Sequence, residues 1–238
     1  MPKSLMVMFN FRVNSREGFR VCSNVIEKSL NIYNLSSTIA FHLTKNDYIR
    51  ASGLIGSWII PSDFFYDDAG DVNPWLSKPC IDFLKPRLSK EMSVFEWGTG
   101  NSTLFWSKHV KEVVSVEYDE EWYKKLKEIV PKNVSLKYFK LEYDGAYCRA
   151  ILEENQKYDI ILIDGRDRVR CAKYAVNYLK DTGIIIWDNT DRESYQEGFE
   201  YLKKKGFKSI TFSGLTYKFS GVELPTMIFY REKNILNL

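Results

Sequence analysis

The chain has 238 residues, 34 basic against 31 acidic, for a formal net charge of +3. Apolar residues make up 45% and charged residues 27%, which fits one globular α/β domain with an extension and excludes a disordered chain. So even a charge leaves no electrostatic footprint for nucleic acid, and no apolar run is long enough to cross a bilayer.

Cys22, Cys80, Cys148 and Cys171 form no Cys-x-x-Cys pair, and only two histidines accompany them, which argues against a structural zinc site. Scattered cysteines fit a reducing cytoplasm, and the apolar residues 5–9 are too few for a signal-peptide core.

The first twenty residues carry no clear pattern. Residues 23–50 show helical apolar spacing at Val25, Ile26, Leu30 and Tyr33, broken at Ser36-Ser37, and read as two short covering helices. Residues 53–71 read as a loop with Gly53, Gly56 and Pro61, followed by the cluster Phe64 to Asp68. A long loop rich in Trp58, Phe64, Phe65 and Tyr66 suits a lid or the wall of a ligand site, or simply the edge of the core. The domain boundary is therefore set at 73/74, with 1–73 as cover and lid.

Pro74 suits the first turn of a helix running to about residue 88, with Pro86 at its end. Strands are expected at 94–97, 112–118, 134–140, 158–163, 184–187, 208–212 and 227–230. Helices are expected at 102–110, 119–130, 146–155, 169–180 and 194–205. Asp119 caps one, Pro131 stops it, and Gly183 and Gly206 end two others. Such alternation implies a parallel sheet covered on both faces. The last two strands have no helix between them, so they should pair as a hairpin and make one strand antiparallel.

The chain is organised around Val94 to Thr103, where a buried strand runs through Glu96, Gly98 and Gly100 into a helix that Asn101 or Ser102 can cap. Two glycines between a strand and a helix N-terminus let a ligand approach bare backbone. A dinucleotide turn needs Gly-x-Gly-x-x-Gly, and its third glycine is replaced here by Thr103. In a doubly wound sheet the ligand lies at the carboxyl ends of the strands. Each such end carries acid: Glu96, Glu117, Glu142 with Asp144, Asp164, and Asp188. That many converging carboxylates are costly without a ligand or cation.

Glu-x-Gly-x-Gly after a strand, with an acid ending the next strand, resembles class I S-adenosylmethionine-dependent methyltransferases. The resemblance covers roughly the last two thirds of the chain. It implies a Rossmann-like, doubly wound seven-stranded sheet, mostly parallel, with a terminal antiparallel hairpin. Residues 74–238 would form this S-adenosylmethionine-binding domain. It implies that Gly98, Gly100, Asn101 and Ser102 meet the methionine part and that Glu96 attracts its cationic end. Glu117 would take the ribose hydroxyls with Tyr118 beside it, and Tyr143 and Asp144 would meet the adenine. Asp164 joins this set at the fourth strand.

Asp164, Asp188 and Asn189 further resemble the divalent-metal ligands of catechol-type O-methyltransferases, and three hard oxygen donors would suit Mg²⁺. A metal-free reading stays open beside it, with the same residues binding a sugar hydroxyl or capping strand ends. The lysine base of that group is missing. The run here is Gly165-Arg166-Asp167-Arg168, and arginine stays protonated, so the base could be Asp167, a carboxylate elsewhere, or His42, or the metal alone could suffice; Asp164, Asp167 and Arg166 are the candidate catalytic residues. Arg166, Arg168 and Arg170 crowd the same edge. They either neutralise the acids or bind an anionic acceptor, with Arg166 and Arg170 spaced for one helical face.

The phrase Phe95 to Thr103 together with Ile163 to Arg166 resembles a bacterial group linked to surface polysaccharide modification. That implies an O-methyltransferase acting on a sugar or glycan hydroxyl and pairing as a homodimer through added N-terminal helices. A phenol or macrolide acceptor, and a non-catalytic nucleotide-binding module, are the alternatives.

Overall fold

The computed structural model describes residues 72–216 and 223–238. The helices expected at 23–50 with any dimer contact through them, His42, and the 53–71 lid lie outside the described residues.

The first helix, α1 (Lys78–Leu84), passes into a 3₁₀ turn, Lys85–Arg87, around Pro86. It is shorter than expected because Pro79, not Pro74, takes its first turn. Then follow β1 (Ser93–Trp97), α2 (Asn101–His109), β2 (Glu112–Glu117), α3 (Glu120–Lys127), β3 (Val134–Tyr138) and α4 (Ala146–Arg149). After α4 a 3₁₀ turn, Ala150–Glu153, replaces the rest of the expected helix. Next come β4 (Tyr158–Ile163), α5 (Arg168–Tyr178), β5 (Leu179–Asp188), α6 (Gln196–Lys204), β6 (Lys208–Leu215) and β7 (Glu223–Tyr230).

These strands form a seven-stranded sheet in the order β3-β2-β1-β4-β5-β7-β6. The first five are parallel, and β7 runs antiparallel to both β5 and β6. The expected hairpin is thus present, with β7 threaded between β5 and β6.

Successive side chains of each strand point to opposite faces, and both faces are covered. Ile161 and Ile163 of β4 face Cys171, Ala172 and Ala175 of α5, while Ile160 and Leu162 face Phe105 and Trp106 of α2 and Ile81 of α1. A fully buried aliphatic side chain contributes roughly 1.5–3 kcal/mol, so the near-continuous run in β4 anchors the sheet.

Gly183 does not end a helix. α5 hands directly into β5, and the register jumps from Tyr158↔Leu179 to Ile160↔Ile184. Gly183 sits in that bulge, where a Cβ would lie 2.8 Å from the Leu179 side chain and 3.0 Å from the Asp159 carbonyl. Asp159 holds this end of the sheet by accepting from Ser93 N at 2.8 Å and Lys180 Nζ at 2.7 Å. Cys80, Cys148 and Cys171 are buried and unbridged. Among the described residues no helix is long and apolar enough to cross a membrane.

Candidate active site at the carboxyl ends of the strands

Strand order reverses between β1 and β4, and the turns that follow these two strands press together. Gly98 has φ of 92°, a left-handed value that side chains resist. A Cβ on it would lie 2.8 Å from Gly165 N, and one on Gly165 would lie 1.9 Å from Tyr147 Oη. Packing between the turns therefore requires glycine at both positions, independently of any ligand.

Glu96 of β1 is completely buried. Its Oε1 accepts from Thr103 Oγ1 at 2.5 Å and Ser115 Oγ at 2.7 Å, while Oε2 is buried without a hydrogen-bond partner. Burial raises its carboxyl from an ordinary 4.5 to about 7; the hydroxyls of Thr103, Ser115 and Ser102 pull it down and Asp164 pushes it up. Thr103 is the joint of this network, since its hydroxyl also accepts from Gly100 N at 3.1 Å. A glycine there would remove both links. Gly100, not Asn101 or Ser102, is the residue that precedes the helix; Asn101 opens α2 and its Nδ2 donates to the Asn73 carbonyl at 2.9 Å.

Glu117 ends β2 almost fully buried. Oε1 accepts from the amides of Tyr118 and Asp119, each at 2.8 Å, and Oε2 accepts from Thr99 Oγ1. Its own turn thus fixes the carboxylate and aims it at the Gly98–Gly100 loop. Trp122 Nε1 of α3 donates to the Thr99 carbonyl at 3.2 Å and braces the same loop.

The β3 and β4 ends are tied to each other. Asp144 and Asp167 both have left-handed φ, 49° and 47°. Asp167 Oδ2 accepts from Asp144 N at 3.1 Å and Oδ1 from Arg170 Nη1 at 2.8 Å, leaving its side chain 7% exposed. Asp144 Oδ1 pairs with Arg149 and accepts from Tyr174 Oη, both at 3.2 Å. Tyr143 is 81% exposed, with the Arg170 guanidinium 3.5 Å from its ring centroid. Arg166 and Arg170 do not share a face, because α5 begins only at Arg168. Arg166 instead donates from Nε to Tyr118 Oη at 3.2 Å.

The three residues expected to bind Mg²⁺ do meet, but around a guanidinium. Arg168 is buried among them. Its Nη2 donates to Asp164 Oδ1 at 3.0 Å, the Asp164 carbonyl at 2.7 Å and Asn189 Oδ1 at 3.4 Å. Nη1 donates to the Asp188 carbonyl at 2.5 Å and Nε to the Gly165 carbonyl at 2.9 Å. The Asp188 carboxylate turns away, with Oδ1 accepting from Thr226 Oγ1 at 2.5 Å; burial and Asp164 hold it above the usual carboxylate range. A dication would have to displace this fork or share its oxygens with a neighbouring positive charge, so these residues do not fit Mg²⁺. Among the described residues no cluster of three His, Cys, Asp or Glu side chains suits a metal either.

Sequence reasoning missed Arg168 as the hub. Its signal was the spacing of four from Asp164, where an acid and a base can meet across one turn. Thr99, Thr103 and Ser115 were missed as well, because nothing in their identity announces a partner 18, 7 or 19 residues away.

Beside this hub lies a cleft of about 350 Å³ whose lining includes Gly165, Arg166, Arg168, Ser194 and Tyr195. Asp167 and Arg170 line it too, and Asp164 directly precedes the lining residue Gly165, with its side chain 26% exposed.

A parallel sheet in this strand order, with β7 reversed and a glycine turn after β1, is the class I methyltransferase fold. No protein-family model matches the chain, and no curated protein matches its sequence. Solved structures do. A methyltransferase from Pyrococcus furiosus is 19% identical with a TM-score of 0.51, covering 79% of this chain and 98% of that one. An O-methyltransferase from Bacillus cereus, in complex with SAH, is 14% identical with a TM-score of 0.52, covering 76% and 97%. Precorrin-8w decarboxylase from Methanobacterium thermoautotrophicum is 18% identical with a TM-score of 0.51, covering 72% and 99%. At such identities the likeness is one of fold.

Proposed function

We propose that the chain is an S-adenosylmethionine-dependent O-methyltransferase acting on a hydroxyl of a sugar or glycan that carries an anionic group. One observation carries the cofactor reading. The Glu117 carboxylate is held by two backbone amides at the end of β2 and faces the glycine loop of β1, where a nucleoside diol can replace the Thr99 hydroxyl. Glu96 Oε2, buried and unpartnered, suits a nearby cation. Tyr118 flanks the same place, and Gly98, Gly100, Asn101 and Ser102 form its wall. Tyr143 and Asp144 stand at the adenine side.

Bound there, S-adenosylmethionine supplies an electrophilic methyl group whose leaving group is a neutral thioether. The chain's own residues would align an acceptor hydroxyl with that methyl group and take the hydroxyl proton on a carboxylate that passes it to solvent. Asp164 is the carboxylate assigned to this proton, because it follows β4 directly before Gly165 of the cleft wall and its side chain is 26% exposed, against 7% for Asp167. Alignment of the two substrates accounts for most of the acceleration. Arg166, whose hydrogen bond goes to a neutral phenol, is the cation that would meet a carboxylate or phosphate on the acceptor.

A transfer assay with labelled S-adenosylmethionine tests the acceptor class. Uronic acids and sugar phosphates should be labelled in preference to neutral sugars, and Arg166→Ala should erase that preference. Labelling of simple phenols alone would overturn the sugar assignment in favour of a small-molecule enzyme.

A further inference from the structure

We infer that Arg168 is the resident cation of this site and that the protein works without a divalent metal; the role given to Asp164 rests on the methyltransferase reading. The positions usually read as a metal-ligand set are kept, Asp164 at the end of β4 and Asp188 with Asn189 at the end of β5. A planar fork of donors joins them. It ties the two strand ends through the carbonyls of Asp164, Gly165 and Asp188 and takes one oxygen each from Asp164 and Asn189.

Three features distinguish this from a surface ion pair. Arg168 is 6% exposed, so its charge is screened little by water. The guanidinium stays protonated at any working pH, so the charge is permanent, as a metal's would be. Asn189 holds a left-handed φ of 53°, a conformation asparagine tolerates, at the point where its Oδ1 meets the fork. Arg168 also lines the cleft, so the same fork that fixes the Asp164 carboxylate puts a positive charge at the acceptor's edge. Arg168 is thus a positioning residue for Asp164.

Binding of Mn²⁺ to the full chain, followed by loss of its free electron-paramagnetic-resonance signal with and without S-adenosylhomocysteine, tests this apart from any acceptor. The wild-type protein should leave the signal unchanged at millimolar metal. Arg168→Met exposes the oxygens without a cation and should raise Mn²⁺ affinity at least about tenfold. Arg168→Lys keeps a charge and should not. Adding Asp164→Asn to Arg168→Met should abolish the gain, which a merely structural arginine would not explain. Stoichiometric Mn²⁺ capture by the wild type, lost in Asp164→Asn, would overturn the inference even if Arg168→Met does not fold. So would a folded Arg168→Met protein, verified by its thermal melt, that ignores the metal. Both outcomes leave S-adenosylhomocysteine binding, and hence the methyltransferase reading, to be judged separately.

Discussion

Burial raises the Glu96 carboxyl to about 7, and that has a measurable cost. Below pH 4.5 the group is protonated folded or unfolded, and it contributes nothing to the pH dependence. Between 4.5 and about 7 the unfolded chain loses the proton while the folded one keeps it, so stability falls as pH rises through this window. The full loss, present above it, is about 3 kcal/mol at roughly 1.36 kcal/mol per pKa unit. Denaturant unfolding across this range should show the decline, and Glu96→Gln should flatten it. A cationic ligand near Oε2 favours the carboxylate. Its binding should therefore release a proton within that window, read by calorimetry in buffers of different ionisation heat, and Glu96→Gln should release none. Gly165→Ala makes a separate case, because the added carbon strikes Tyr147 Oη. It should destabilise by about 1–3 kcal/mol, with Tyr147→Phe recovering part of that in the double variant.

At this scale the sequence was readable where chemistry is local. Glu96, Glu117, Gly98 and Gly100 announce themselves by residue type and by position after a strand. Arg168 and Thr103 do not, because their partners are fixed only when β1, β2, β4 and β5 lie side by side.

Among the elements, α3 shows how a local signal positions the site. Asp119 was readable as its cap, and its Oδ1 accepts from Trp122 N at 3.0 Å. The same Trp122 braces the Thr99 carbonyl through its indole. Asp119→Ala should cost about 1 kcal/mol in unfolding experiments. It should also weaken S-adenosylmethionine binding, since Trp122 meets the cap through its backbone amide and the loop through its indole. Less of α4 and β5 was legible. The apolar residues 146–155 satisfy a helical period, yet only four of them are α-helical before the 3₁₀ turn. Gly183 reads as a helix stop when alone, and only the register against β4 reveals it as a bulge.

For the molecule as a whole, alternation of strand and helix was enough to expect the sheet, its covered faces and the reversed strand near the end. Strand order was not in the periodicity, because pairing of β1 with β4 is a long-range choice made by the whole core. That order brings Glu96, Glu117 and Asp164 to one edge, from strands as far apart in sequence as residues 96 and 164. The most direct test of the central claim is calorimetric titration of the full chain with S-adenosylmethionine, with NAD as control and Glu117→Ala alongside. Micromolar binding of S-adenosylmethionine, none of NAD, and loss of binding in the variant are expected. Folded wild-type protein that binds no S-adenosylmethionine would contradict the assignment and leave only the fold.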